Sequence, residues 1–258
     1  MASRFKFSQQ LCLAVFKVYA ELKAEAARSY LGILWWLIEP VLYLGAYYVL
    51  FVLVLRRGDL GFVPAFLCGV VIWKWFDSGI KNGGIALIAN SQLMQQVYVP
   101  KYIFVLSAVA SSTFRFFCVF CVLCLFLFFY GVDFHMTWFW VLSIFIVQFF
   151  LIYSLSLLLS AILPFVPDLK VVIDNAMVML FFISGIFFDI RLVHEPIKTY
   201  LMINPMAALI EAYRDSLLRG LEPDFVCLAS IMAFSFSTLL LGLFLLHRWD
   251  KKYGKVRF

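Results

Sequence analysis

Charge is scarce in this chain. Only 14% of its 258 residues are Asp, Glu, Lys or Arg, against about 25% in an ordinary soluble domain. There are three histidines, His135, His194 and His247, and no nucleophile–base set can be assembled around them. The phosphate-cradling pattern G-x-x-x-x-G-K-[ST] is absent, as are G-x-S-x-G and H-E-x-x-H, so the chain has no recognisable means of binding nucleotide or catalysing hydrolysis by itself. No metal site is expected. Cys118, Cys121 and Cys124 fall three apart, but Phe and Leu flank them and neither His nor carboxylate stands nearby. With Cys12, Cys68 and Cys227 they read as small apolar packing residues.

What the chain has instead is hydrocarbon: 65% hydrophobic residues, 19% aromatic, and 30 Phe. That composition excludes a soluble domain and predicts an integral membrane protein. A helix needs about 20 apolar residues to cross the hydrocarbon layer. Six stretches meet this: 32–55, 62–80, 102–130, 137–163, 171–190 and 225–246. They are too long and too uninterrupted for barrel strands, so the expected fold is all-α, a single transmembrane domain over 1–258 in which each span satisfies its own backbone. The start, M-A-S-R-F-K-F-S, leads only to a short apolar run interrupted by Lys17, so no cleavable signal is expected.

Six spans put both termini on one side. That side carries Arg4, Lys6, Lys17, Lys23, Arg28, Lys81, Lys101, Lys170, Arg248, Lys251, Lys252, Lys255 and Arg257, which is thirteen basic residues. The other carries six: Arg56, Arg57, Arg191, Lys198, Arg214 and Arg219. The excess predicts cytoplasmic termini. It also accounts for most of the net charge of +6 without invoking nucleic acid.

Four features stand outside this plan. Residues 8–29 place Leu11, Val15, Val18, Leu22 and Ala26 on one helical face and Lys17, Glu21, Glu25 and Arg28 on another, the pattern of an interfacial amphipathic helix. Residues 191–223 hold Asn204 as a cap, Pro205 at the first helical position and Gly220 after the last turn. Between them Met206, Leu209, Ile210, Tyr213 and Leu217 form an apolar stripe opposite Glu211, Arg214, Asp215 and Arg219. Short helices dipping into the membrane or a surface helix would both fit. Glu39, Lys74, Asp77, Arg115 and Asp174 lie at membrane depth, where ionisable groups need a partner or a hydrated path; Lys74 and Asp77 are spaced to neutralise each other. Finally, N-S-Q-L-M-Q-Q-V-Y-V-P-K at 90–101 interrupts two apolar runs. Its Leu93, Met94 and Val97 form a ridge on a short helix, a shape that fits a groove in another protein.

R-S-Y-L-G-I-L-W-W-L-I-E-P (28–40), W-K-W-F (73–76), the 90–101 loop, F-F-I-S-G-I-F-F (181–188) and I-N-P-M-A-A-L-I-E-A-Y-R-D-S-L-L-R-G (203–220) follow one another in an order that resembles the membrane subunit of bacterial ABC exporters of the type-2 class. Within it the likeness is to the branch exporting O-antigen, capsule and teichoic-acid polymers. Where that family usually carries a basic residue near Val97, this chain has Gln95 and Gln96.

The resemblance implies a homodimer bound to two copies of a P-loop nucleotide-binding subunit that holds the ATP and Mg, with no cofactor in this chain. Gln92, Leu93, Met94, Val97 and Tyr98 would belong to a coupling helix (90–99), 8–29 to a gate helix, and 191–220 to re-entrant periplasmic helices. The implied cargo is a glycan on a lipid pyrophosphate. Arg4, Lys6 and Arg28 are placed to meet the pyrophosphate, although the positive-inside bias explains them too. Sugar faces stack on aromatic rings, so Trp35, Trp36, Tyr43, Tyr47, Tyr48, Trp73 and Trp75 are candidates for the sugar path, with an interfacial belt as the competing role. Two other readings stay open. The same fold could carry a drug or small lipid, or the chain could be a membrane enzyme using Asp77, Asp174 or Asp189.

Overall fold

The structure, a computed structural model, describes residues 7–27, 34, 35, 38, 41, 42, 45, 46, 49–54, 61–96 and 99–253. Its α-helices in chain order are α1 (Phe7–Ala27), α2 (Phe62–Gly84), α3 (Ala86–Ala89), α4 (Ser91–Gln96), α5 (Lys101–Tyr130), α6 (Trp140–Ile162), α7 (Leu169–Ile183), α8 (Ile197–Met202), α9 (Pro205–Arg214), α10 (Phe225–Arg248) and α11 (Asp250–Tyr253). A 3-10 turn, Met136–Phe139, leads into α6, and a π-helical turn, Asp215–Arg219, extends α9. Among the described residues, Phe62–Gly84, Lys101–Tyr130, Met136–Ile162 and Phe225–Arg248 are long and apolar enough to cross a membrane. They match four of the six expected stretches within a few residues.

The other two expectations fare differently. Nearly half of 32–55 lies outside the described residues, and Val49–Val54 within it form a π-helical turn. Over the stretch 171–190 the α-helix runs only from Leu169 to Ile183, 15 residues, a rise of about 22 Å against a hydrocarbon thickness of about 30 Å. Local chemistry ends it. Ser184 turns its hydroxyl back to the Leu180 carbonyl at 2.6 Å, and Gly185 takes a left-handed φ of 72°, which glycine adopts without steric cost.

The core is built around α2, which packs on α5 and α6, while α6 packs most extensively on α10. Helices sharing a membrane have little hydrophobic drive between them and depend on close packing. Gly79 and Gly83, a G-x-x-x-G pair on α2, supply it. A Cβ on Gly79 would stand 2.5 Å from Ile152 Cγ2, and one on Gly83 would stand 2.5 Å from Ser156 Cβ. That approach lets the Ser156 hydroxyl donate to the Gly79 carbonyl at 3.1 Å. Two turns of α2 further back, Gln148 Nε2 donates to the Ile72 carbonyl at 3.1 Å.

Candidate functional site

Two clusters at opposite ends of the bundle, and a polar stripe between them, carry the residues that matter. At the first end α3 and α4 lead into the loop before α5. Leu93 on α4 is 50% exposed, whereas Met94 is half-buried and packs on the core. Gln92 is exposed; Val97 and Tyr98 lie outside the described residues. Both flanks of this loop are tied down. On one side Asn90, whose carbonyl accepts from Met94 N at 3.1 Å, presents its side-chain oxygen to Lys17 of α1 at 2.8 Å. On the other, Lys101 pairs with Asp250 of α11, donates to the Asp250 carbonyl at 3.0 Å and lies 5.2 Å from the Tyr253 ring centre. Tyr253 in turn donates to the Ala161 carbonyl at 2.9 Å. Burial pushes its phenol pKa up, with the Asp250 charge adding to the shift.

Helix α1 has the expected division of faces, but the polar side is the one that docks. Lys17 pairs with Glu21, and the free Glu21 oxygen accepts from Ser111 on α5 at 2.8 Å. Val15, Phe16 and Tyr19 remain exposed, which suits an interfacial helix with its greasy side outward. Arg4, Lys6 and Arg28 lie outside the described residues.

At the opposite end, α9 is capped as expected: Asn204 accepts from Met206 N at 3.0 Å, Pro205 opens the helix, and Gly220 closes the following turn with a left-handed φ of 65°. Yet α9 is no surface helix. Its apolar and charged faces are both buried, from Met206 to Leu217. Arg214, 2% exposed, donates to the carbonyls of Ala65 (3.0 Å), Gly185 (2.8 Å) and Ile186 (3.0 Å), and to Glu211 at 3.1 Å. It thereby fastens the turn after α7 to the start of α2. Around it Arg219 bridges Glu211 at 2.7 Å, Asp215 at 2.6 Å and Asp189 at 2.6 Å, and Arg191 reaches Asp215. Three arginines thus meet three carboxylates. Burial alone would lower the Arg219 pKa, but hydrogen bonds to Glu211 and Asp215 and the Asp189 charge reverse this and raise it above the ordinary value.

Between the ends, the membrane-depth charges line up on one side of α2. Asp77 bonds Lys81 at 2.7 Å, and Lys81 approaches Asp174 of α7 at 3.9 Å. Lys74 is exposed, and Asp77, Ser78 and Lys81 are partly so. On α5, Arg115 stands 3.4 Å from the Ser112 hydroxyl. Glu39 lies outside the described residues. Of the candidate path aromatics, Trp73 and Trp75 are inside the single-chain core. Trp75 is 2% exposed, stacks on Phe116 at 4.2 Å and Phe145 at 4.9 Å, and donates to Thr113 Oγ1 at 3.1 Å; Trp73 packs against Phe76 and Phe181. Trp35 is exposed, while Trp36, Tyr43, Tyr47 and Tyr48 lie outside the described residues. Sequence reasoning missed the roles of Arg214 and Gly79. The G-x-x-x-G spacing was a usable signal for the second; Arg214 had none, since Ala65 is 149 residues away.

Residues 17–218 match the ABC-2 type transporter family. The chain belongs to that family. Among curated proteins, this ABC-2 chain is 27% identical over 201 residues to an O-antigen export system permease protein, RfbA, of Klebsiella pneumoniae, covering 78% of each. It is 27% identical over 227 residues to the RfbA of Myxococcus xanthus, covering 86% of each. It is also 26% identical over 234 residues to the polysialic acid transport protein KpsM of Escherichia coli, covering 86% of this chain and 88% of that one. These family relations make it a transport permease of multi-pass type.

Proposed function

We propose that this chain is the membrane permease of an ATP-driven exporter that carries a lipid-linked polysaccharide, O-antigen or capsule, from the cytoplasm across the inner membrane. What carries the reading is the family match together with relatives named for O-antigen and polysialic acid transport that align along 78–88% of their own length. In this reading the chain is a homodimer with six spans per subunit and cytoplasmic termini, driven by two copies of a separate P-loop subunit that binds ATP and Mg. The loop helix α4 is the coupling element, α1 the gate at the cytoplasmic entrance, and 191–220 the re-entrant segment beside the outer mouth.

Three observations support those roles. Leu93 projects from α4 while Met94 anchors it, so an apolar side chain is offered to a partner on a supported base. The polar side of α2, with Lys74, Asp77 and Lys81, would be costly against lipid and suits a hydrated path or a subunit junction. The buried Arg–carboxylate cluster gives the non-spanning segment the protein surroundings that irregular backbone needs at membrane depth.

The test replaces Leu93, Met94 and Val97 with Ser. Export should fall by tenfold or more while insertion in the membrane is unchanged, and the partner's ATP hydrolysis should no longer respond to this subunit. Export at the wild-type rate from that variant would overturn the reading.

A further inference from the structure

The chain does not leave the bundle after α10. It turns at Trp249 into α11, and Tyr253 is 2% exposed. The Tyr253 hydroxyl donates to the Ala161 carbonyl at 2.9 Å, one of the last four carbonyls of α6, which a helix leaves without an internal partner. The rings of Tyr253 and Trp249 each lie 5.1 Å from that of Phe165, in the turn between α6 and α7. A segment beyond the last span is usually loose unless something ties it down. Here two aromatic contacts and a hydrogen bond do so.

Lys101 meets α11 from the other direction. That lysine opens α5, a position where the helix dipole disfavours a cation, so its own helix does not explain it. Its side chain is only 13% exposed. It pairs with the Asp250 carboxylate, donates to the Asp250 carbonyl at 3.0 Å and stands 5.2 Å from the centre of the Tyr253 ring. A charge, a carbonyl dipole and an aromatic ring thus converge on one ammonium. Only four residues, 97–100, separate Lys101 from the last residue of α4, a tether of at most about 18 Å. On the other flank Asn90 is held by Lys17 of α1. Helix α4 is slung between two posts, and the α11 post is the one fastened to α6 and to the turn after it.

We infer that α11 is the seat of the coupling loop: Asp250 and Tyr253 position α4 by holding Lys101, and so set how readily the nucleotide-binding partner engages Leu93. The partner's part in this rests on the export reading; the seating of α4 does not. Lys101, Asp250 and Tyr253 act through α4 and are positioning residues.

Amide hydrogen exchange of the full chain in lipid nanodiscs tests the seat. ATP hydrolysis by the partner, titrated onto the same nanodiscs, tests its consequence. Lys101→Glu should raise exchange at 91–96 at least tenfold while 234–244 on α10 keeps the wild-type rate. Adding Asp250→Lys should bring 91–96 back to within threefold of wild type. Lys101→Glu should also raise the partner concentration for half-maximal hydrolysis at least fivefold, with the maximal rate within twofold, and the double variant should reverse that shift. Unchanged exchange at 91–96, or no recovery in the double variant, would overturn the proposal. So would a fall in maximal rate with no shift in half-saturation, the mark of a segment that only supports folding. If Lys101→Glu fails to insert, Tyr253→Phe, which keeps the ring and loses the bond to Ala161, should raise exchange at 91–96 at least twofold; no change there is equally fatal. Replacing Leu93, Met94 and Val97 with Ser separates the two readings. If that variant leaves the partner's hydrolysis unaltered, the coupling role falls, and exchange at 91–96 alone decides whether α11 seats the loop.

Discussion

Around Arg214, six charged side chains meet, three of each sign; Arg214, Glu211 and Asp215 are enclosed, while Arg219, Asp189 and Arg191 reach toward the surface. At the other end of the bundle, around Asn90 and Lys101, charge is held in single pairs that keep one foot in solvent: the Asp250 side chain is 40% exposed and that of Glu21 35%. The contrast follows from what each arrangement costs to disturb. Removing one member of a buried set strands the others without water, whereas an exposed pair exchanges its partner for solvent with little loss. The Arg214 end is therefore built to stay put. The Asn90 end can rearrange at less cost.

The comparison can be broken most directly at its centre. Arg214→Met should destabilise the detergent-solubilised protein by about 3–5 kcal/mol, because it leaves the Glu211 carboxylate and three carbonyls short of a donor; thermal unfolding measures it. Adding Glu211→Leu to that variant should recover part of the loss. If Arg214→Met costs no more than an exposed pair, the buried end is not the rigid one.

Between the two ends, Gly79→Leu should cost about 1–3 kcal/mol by forcing α2 off Ile152, again read by unfolding. Lys101→Met should cost about 1 kcal/mol or less and free α11; faster tryptic cleavage beyond Arg248 reports it. Lys17→Met should have the smallest effect, about 0.5 kcal/mol, and both Lys effects should shrink in high salt. The salt sensitivity sharpens the contrast, since the Arg214 effect should barely respond.

How much of this was legible beforehand depends on range. Runs of apolar residues announced four of the spans, because crossing hydrocarbon is a demand on length and composition that each segment meets alone. Asn204, Pro205 and Gly220 marked the ends of their helix for the same local reason. The polar stripe 74–81 was visible as charges at depth, but the spacing that joined Lys74 to Asp77 did not reveal that Asp77 bonds Lys81 one turn on, or that Asp174 approaches from α7. The two tryptophans of W-K-W-F were read as path aromatics, yet both sides of α2 that bear them are covered by neighbouring helices, and nothing within the helix itself shows which face will be covered.

By itself, then, the order of residues decided that this is a helical membrane permease of a known family, and where four of its long apolar helices begin and end. Tertiary structure alone decided which polar groups are enclosed: that α1 docks by Lys17 and Glu21, that Arg214 joins Ala65 to Gly185, and that Trp75 belongs to the core. The physical reason is that span formation is a contest between a segment and its solvent, settled residue by residue. Enclosure depends on which distant surfaces meet, and a hydrogen bond across 149 residues leaves no periodic trace along the chain.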